Sequence, residues 1–378
     1  MKILTLLSTT FRSDGGIERY NRAICKALSD YAEDRGHQVI VLSRNDRPTD
    51  FDPRYVYGKN IAAEGCDGSL GRFIIRTLQL AVLWRPDLVF LGLANFGPLG
   101  WLLKQTRLCR YYGVAMYGVE VWARLPFLRR VAIAQANFLT TISHFTAQAA
   151  ANANGVELTR VVPLVPCLDP FWPMALTTGH ASRPTERPAI LLTVARLVAS
   201  EGHKGVDRVV ECLPLVKLPS GRSLEYIVVG DGSDRERIEN LARQINGPYP
   251  IRFLGRVSDE ELHHWYAKCD LFVMPSQSEG FGIVYIEAMS YGKPIIAGRG
   301  GAIPEVVVDG QIGILVDHDK DGEIAAAITT LLNDDVLYER LAETARCHVR
   351  VQYSYPVFRE QVFAIFDRHL DLVKARFN

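Results

Sequence analysis

Along the first half of the chain, short apolar runs alternate with longer stretches whose apolar positions recur every third or fourth residue. The runs at Ile3–Leu7, Gln38–Leu42, Leu88–Leu93, 112–117, Asn137–Ile142 and 161–165 predict strands. The stretches at 16–34, 70–84, 98–109, 126–136 and 143–153 predict helices. Segment 168–188, with Pro170, Pro173, Pro184 and Pro188, breaks the pattern and predicts a linker. The pattern then restarts. Strands are expected at 190–195, 226–229, 251–254, 270–275, 294–297 and 313–316, and helices at 205–213, 234–245, 282–290 and 321–333. Ser258-Asp-Glu-Glu261 has the spacing of a capping box and opens a further helix, and a long helical tail begins near 335. Strand–helix alternation of this kind implies parallel sheets covered by helices, an α/β fold class. Domains are expected over 1–167 and 189–355.

Composition sharpens this. A length of 378 residues exceeds one core and suits two domains of ~150–200 residues. Met1–Ser8 is too short an apolar run for a signal peptide and reads as the first strand, and no run reaches the ~18 residues of a membrane span. Seven scattered cysteines without a Cys-x-x-Cys pair argue against disulfide or metal frameworks and suit a reducing cytoplasm. The net charge of +1 hides an asymmetry: residues 1–170 hold 20 Lys+Arg against 14 Asp+Glu, the remainder 23 against 28. Within 70–135, nine basic residues face only Asp87 and Glu120. Trp101-Leu-Leu-Lys104 and Trp122–Arg130 mix aromatic, aliphatic and basic side chains, so peripheral membrane contact is expected through 100–130. Balanced overall charge and the lack of a recognition motif argue against nucleic acid.

The chemistry concentrates between Glu279 and Glu287, where Glu-Gly-Phe-Gly-Ile-Val-Tyr-Ile-Glu joins a strand to a helix. The first amides of such a helix, here Phe281, Gly282, Ile283 and Val284, suit an anionic phosphate, and Gly280 and Gly282 permit close approach. Carboxylates on either side accept hydroxyl hydrogen bonds. Phosphate between two hydroxyl-binding acids describes a nucleotide sugar, with hexose at Glu279 and ribose at Glu287. An ordinary strand-to-helix turn with solvated acids is the plainer alternative. Arg196, after the strand 190–195, and Lys204, at the mouth of the next helix, are fixed cations for a diphosphate that gains charge as its glycosidic bond stretches. No metal is assigned. Gly230-Asp-Gly232 is a tight turn that lacks the third glycine of a dinucleotide fingerprint. Asp14-Gly15-Gly16-Ile17 enters a helix, so its amides too are candidate anion donors.

The Glu-x7-Glu segment EGFGIVYIEAM, with Gly292-Lys-Pro-Ile-Ile-Ala297 and Gly300-Gly-Ala-Ile-Pro-Glu305, resembles the retaining glycosyltransferases of family 4. The resemblance implies the GT-B architecture: two facing Rossmann-like domains with a cleft between them, and a last helix, 356–378, crossing back to the first domain. It implies that Arg196 and Lys204, in Val194-Ala-Arg-Leu197…Lys204-Gly205, bind the diphosphate, and that Gly230 packs near the nucleotide while Arg256 and Val257 read the base. Gly15 and Gly16 then face the donor phosphate or the acceptor. Tyr117, in Tyr-Gly-Val-Glu120, stands where many members have a histidine approaching the hexose. Glu120 orients the acceptor or caps a turn, and His144 lines the cleft or is structural. The Tyr-Gly-Val-Glu-Val-Trp form looks like bacterial mannosyltransferases acting on lipid-linked oligosaccharides. The implied activity is retaining, metal-independent transfer of a hexose without cofactor. Mannose from GDP-mannose is the expected donor, and a polyprenyl-diphosphate-linked saccharide of exopolysaccharide or O-antigen assembly the acceptor, at the inner face of the plasma membrane. A UDP-sugar or soluble acceptor, a nucleotide-sugar epimerase and an inactive sugar-nucleotide-binding protein are the alternatives.

Overall fold

A computed structural model of the chain describes residues 1–173, 187–220 and 222–375. They divide into two units, Met1–Trp172 with Tyr353–Asn378, and Pro173–Gln352. Most of the expected linker, 174–186, lies outside the described residues.

The first unit runs β1 (Lys2–Leu7), α1 (Gly16–Arg35), β2 (Gln38–Ser43), β3 (Ile61–Gly65), α2 (Leu70–Leu83) and β4 (Leu88–Leu91). It continues with α3 (Gly97–Gln105), β5 (Tyr111–Met116), α4 (Val119–Trp122), α5 (Phe127–Gln135), β6 (Phe138–Thr141), α6 (His144–Asn154) and β7 (Val161–Pro163). Its seven strands are parallel in the order β3-β2-β1-β4-β5-β6-β7. Successive side chains of β4 point to opposite faces, as the two-residue repeat of a strand requires. Val89 and Leu91 join Phe73 of α2 and Leu103 of α3 in one core cluster. On the other face, the ring of Phe90 meets Phe366 at 5.6 Å. Phe366 belongs to the last helix of the chain, Tyr355–Ala375, which lies in the first unit against α1. Tyr31 donates to Asp367 at 2.7 Å, and Arg35 pairs with the same carboxylate at 2.9 Å.

The second unit carries β8 (Ala189–Val194), α7 (Val206–Cys212), β9 (Leu224–Val229), α8 (Arg235–Ile245), β10 (Ile251–Gly255), α9 (Asp259–Lys268) and β11 (Leu271–Met274). It closes with α10 (Ile283–Ser290), β12 (Ile295–Gly298), α11 (Ile303–Val306), β13 (Gly313–Val316), α12 (Asp321–Asn333) and α13 (Asp335–Gln352), so the last helix of the chain is α14. Six parallel strands stand in the order β10-β9-β8-β11-β12-β13. Strand order reverses between β8 and β11 here, and between β1 and β4 in the first unit. At such a point the loops leave adjacent strand ends in opposite directions and open a crevice for a ligand.

Two parallel sheets covered by helices are what the alternation predicts, and Ser258 and Glu261 form the reciprocal cap on α9. Several local readings differ, the short helices α4 and α11 among them. The strand β3 was not legible, because Ile-Ala-Ala-Glu-Gly is poor in the branched and aromatic residues that mark strands. The helix expected over 98–109 stops at Gln105, and Arg107 takes a left-handed φ of 58°. Gly282 stands outside α10 as its cap, with φ 89°.

Candidate functional site

Arg196 leaves the carboxyl end of β8 at the switch point of the second sheet and is exposed. Its backbone is clamped by the Gly230–Gly232 turn. Leu197 N donates to Asp231 O at 3.1 Å, and Asp234 N to Leu197 O at 2.8 Å. Gly230 has φ 132°, and a Cβ there would lie 1.8 Å from Ala195 O, so any side chain would push the Arg196 strand end away. The turn is thus a packing device under a cation. Gly230 N also donates to Gly255 O at 2.8 Å, which docks the segment with exposed Arg256 and half-buried Val257 beside it.

From the neighbouring strand β11 comes Glu279, nearly buried. Lys204 Nζ lies 2.6 Å from Glu279 Oε1. Ser276 Oγ is 3.0 Å from both that oxygen and His203 O, and its single proton serves one at a time. The backbone of the loop is fixed as well, since Gln277 N donates to His203 O at 2.7 Å and Ala302 N to Glu279 O at 2.9 Å. Gly300 passes so close that a Cβ would lie 1.7 Å from Gln277 O. Glu279 is therefore held between the turn carrying Lys204 and the glycine loop after β12. Lys204 also lines, with Arg196, one small cavity whose other walls include Val206, Asp207, Asp234 and Arg237.

Past half-buried Gly280, α10 begins at Ile283, with Phe281 and Ile283 buried and Val284 half-buried. Its first amides have no acceptor within the helix and carry partial positive charge toward any ligand. Glu287, one turn on, is buried and accepts a hydrogen bond from Tyr266 of α9 at 2.7 Å. Sequence reasoning missed both Ser276 and Tyr266. Each is a common residue with no motif around it, and only the packing shows that it pins one of the two glutamates.

In the first unit, Gly15 caps α1 and Gly16 is its first residue. The loop before them is tightly organised by a residue with no sequence signal. Asp46, fully buried, accepts from the amides of Thr10, Phe11 and Arg12 at 2.8–2.9 Å and from Ser43 Oγ. Asn21 donates to Thr9 O at 2.7 Å and accepts from Tyr117 OH at 2.9 Å. Tyr117, expected toward the hexose, thus directs its hydroxyl at Asn21 of α1, and burial holds that hydroxyl neutral by pushing its pKa well up. Glu120 accepts from the amide of Tyr117, within the turn after β5. Burial raises the Glu120 carboxyl above its ordinary range, against the opposing pull of the amides. His144 is the exposed first residue of α6, whose cap is Ser143.

Asp50-Phe-Asp52, Asp317-His-Asp319 and Asp319-Lys-Asp321 have the Asp-x-Asp spacing that glycosyltransferases use for metals. Asp52 is paired with Arg54 at 2.6 Å, and Asp317 with Lys320 at 3.4 Å. Among the described residues no group of three His, Cys, Asp or Glu could hold a metal ion.

Two parallel Rossmann-like units, with cations and glutamates at the switch point of the second, define the GT-B fold. The fold is matched by the structure of Anabaena HepE in complex with UDP, with a TM-score of 0.77 at 18% identity over 97% of this chain and 100% of that one. Residues 180–348 match the family described as glycosyl transferases group 1. An uncharacterized glycosyltransferase of Methanocaldococcus jannaschii is 34% identical over 144 residues, 38% of this chain and 39% of that protein. The GDP-mannose-dependent alpha-(1-6)-phosphatidylinositol monomannoside mannosyltransferase of Mycolicibacterium smegmatis is 31% identical over 265 residues, 64% of this chain and 65% of the relative. The matched stretches thus span less than two thirds of either relative.

Proposed function

We propose that the chain is a retaining glycosyltransferase of family 4 that moves a hexose from a nucleoside diphosphate sugar to an acceptor hydroxyl. The observation that carries this reading is the junction of Lys204 and Glu279 at 2.6 Å, beside Arg196 and the amino end of α10. In the proposed reaction the bond from the anomeric carbon to the diphosphate oxygen breaks. Arg196, Lys204 and the amides from Phe281 to Val284 take up the charge that develops on the leaving group. The acceptor oxygen bonds to the same face of the anomeric carbon, and its proton passes to the leaving phosphate. Glu279 holds the hexose hydroxyls and Glu287 the ribose. No step in this scheme uses a metal.

The donor we propose is GDP-mannose, which the name of the mycobacterial relative supports. The acceptor is a saccharide on polyprenyl diphosphate, used in exopolysaccharide or O-antigen assembly at the inner face of the plasma membrane. The excess of basic residues in the first unit supports that acceptor. Among the described residues no helix is long and apolar enough to cross a membrane.

A thermal-shift panel of GDP- and UDP-sugars, followed by nucleotide release in the presence of EDTA, tests the proposal. GDP-mannose at 100 times its Kd should stabilise the protein by about 2.7 kcal/mol. If no nucleotide sugar raises the melting temperature, the transferase reading is wrong; if EDTA stops turnover, the fixed-cation scheme is.

A further inference from the structure

The first unit presents a wide surface almost without carboxylates. Between Gly68 and Val156 only Asp87 and Glu120 are acidic, against nine Lys and Arg. Asp87 faces Arg110 at 3.6 Å and accepts from the Lys2 amide at 2.9 Å, and Glu120 is taken up by the turn after β5. Glu64 of β3, just outside this stretch, pairs with Arg76 of α2 at 2.6 Å, which leaves Arg72 and Arg85 as the exposed cations at the ends of that helix.

The helices of this surface are apolar on the side the core does not use. Helix α2 buries Phe73, Thr77, Leu80 and Ala81, which is one complete amphipathic face. Opposite, it leaves Leu83 81%, Ile75 58% and Val82 52% exposed, with Arg72 and Arg85 at either end. Helix α3 lies between α2 and α5 and adds exposed Leu102. Helix α5 opens with Phe127 and Leu128, 70% and 57% exposed, next to Arg129 and Arg130. Contiguous exposed apolar groups of this kind mark an interaction surface. Within the expected contact region 100–130, Trp101 and Trp122 pack against the core, whereas Leu102, Phe127 and Leu128 are exposed. Trp101 Nε1 donates to Gln135 at 2.8 Å and Trp122 Nε1 to Thr146 at 3.2 Å.

We propose that the outer face of α2, with the amino end of α5, docks on an anionic lipid surface. Such a surface supplies both partners this face lacks, negative headgroups for the arginines and an acyl layer for Ile75, Val82 and Leu83. A second copy of the same face would set arginine against arginine. The inference deepens the lipid-linked-acceptor reading and rests on it for its purpose. The docking itself is measurable without it.

The test is co-sedimentation of the full chain with vesicles of phosphatidylcholine alone and with about 30% phosphatidylglycerol, at low and high salt. The expected result is binding to the anionic vesicles only, lost at high salt. Ile75→Glu with Leu83→Glu should weaken it on the order of tenfold, and Phe127→Glu with Leu128→Glu should do so independently. All four positions are exposed, so the melting temperature should stay unchanged. Equal binding to neutral vesicles, or no effect of either pair, overturns the proposal. So does a dimer in sedimentation velocity that the α2 pair dissolves, which would make a second copy the occupant. Nucleotide release with soluble and lipid-linked acceptors, run in parallel, separates the two ideas. Docking without transfer to the lipid-linked acceptor counts against the acceptor reading, and such transfer without docking counts against this one.

Discussion

Lys204 and Glu279 are paired at 2.6 Å although 75 residues separate them, one on the turn after β8 and the other on the loop after β11. The cation proposed for the leaving diphosphate is thus held by the carboxylate proposed for the hexose. Both groups are mostly buried, so the pair offsets two desolvation costs and contributes little net stability. Its consequence is placement. A donor arriving at this site finds the ammonium already fixed beside the position of the sugar.

Lys204→Ala, Arg196→Ala and Glu279→Ala should each lower kcat by about 10²–10³ with the fold intact. Because Lys204 and Glu279 touch, the double variant should lose less than the product of the two single losses. Steady-state rates and melting curves of the parent protein and these four variants check this. Near-normal turnover in any single variant would remove that residue from the mechanism, and strict additivity would show that the pair does not act as a unit.

Tyr266→Phe keeps the ring and removes only the hydroxyl that donates to Glu287 at 2.7 Å. The ring still stacks on Tyr291 at 5.9 Å, so the packing survives. A buried carboxylate that loses a donor costs about 1–3 kcal/mol. Nucleoside diphosphate should bind about five- to tenfold more weakly, while its 2′-deoxy counterpart is affected less. Calorimetric titration with both nucleotides decides. Equal losses would reduce Tyr266 to a structural role.

His369 on α14 should make the first unit sensitive to mild acid. Its ring is buried, stacks on Phe138 at 4.0 Å, and has no hydrogen-bond partner at either nitrogen among the described residues. Burial, with Arg368 adding to it, lowers its pKa to about 4. The unfolded chain titrates near 6.5, so below that pH it binds a proton the native state refuses. Stability present above about pH 6.5 is therefore lost as the pH falls toward 4, by about 1–2 kcal/mol at pH 5. Urea midpoints at pH 7.5 and 5 measure the loss, and His369→Leu should remove most of it. An unchanged slope in that variant would place the titrating group elsewhere.

Much of the fold was legible because it is encoded locally. The apolar runs that become β8 and β11, the Ser258–Glu261 cap and the glycine at the mouth of α10 all depend on neighbours within a few residues. The candidate donor residues, Arg196, Lys204, Glu279 and Glu287, were legible through the spacing of their motifs. The direction of Tyr117 was not, because its partner Asn21 lies 96 residues away. The inward packing of Trp101 and Trp122 was equally hidden, since an amphipathic pattern does not say which of its apolar groups the core has room for.

The sequence by itself therefore determined the elements, their alternation and the residue types able to carry charge and hydroxyl recognition. Tertiary structure alone decided which strand ends become neighbours, and so which of those residues meet. Strand order places β11 beside β8, joining Lys204 to Glu279, and burial sets Asp46 under the Thr10–Arg12 loop, Ser276 against His203 and Tyr266 of α9 against Glu287 of α10. The physical reason is range. Periodicity and capping act over one or two turns, whereas a buried polar group must find its partner anywhere the folded chain brings one.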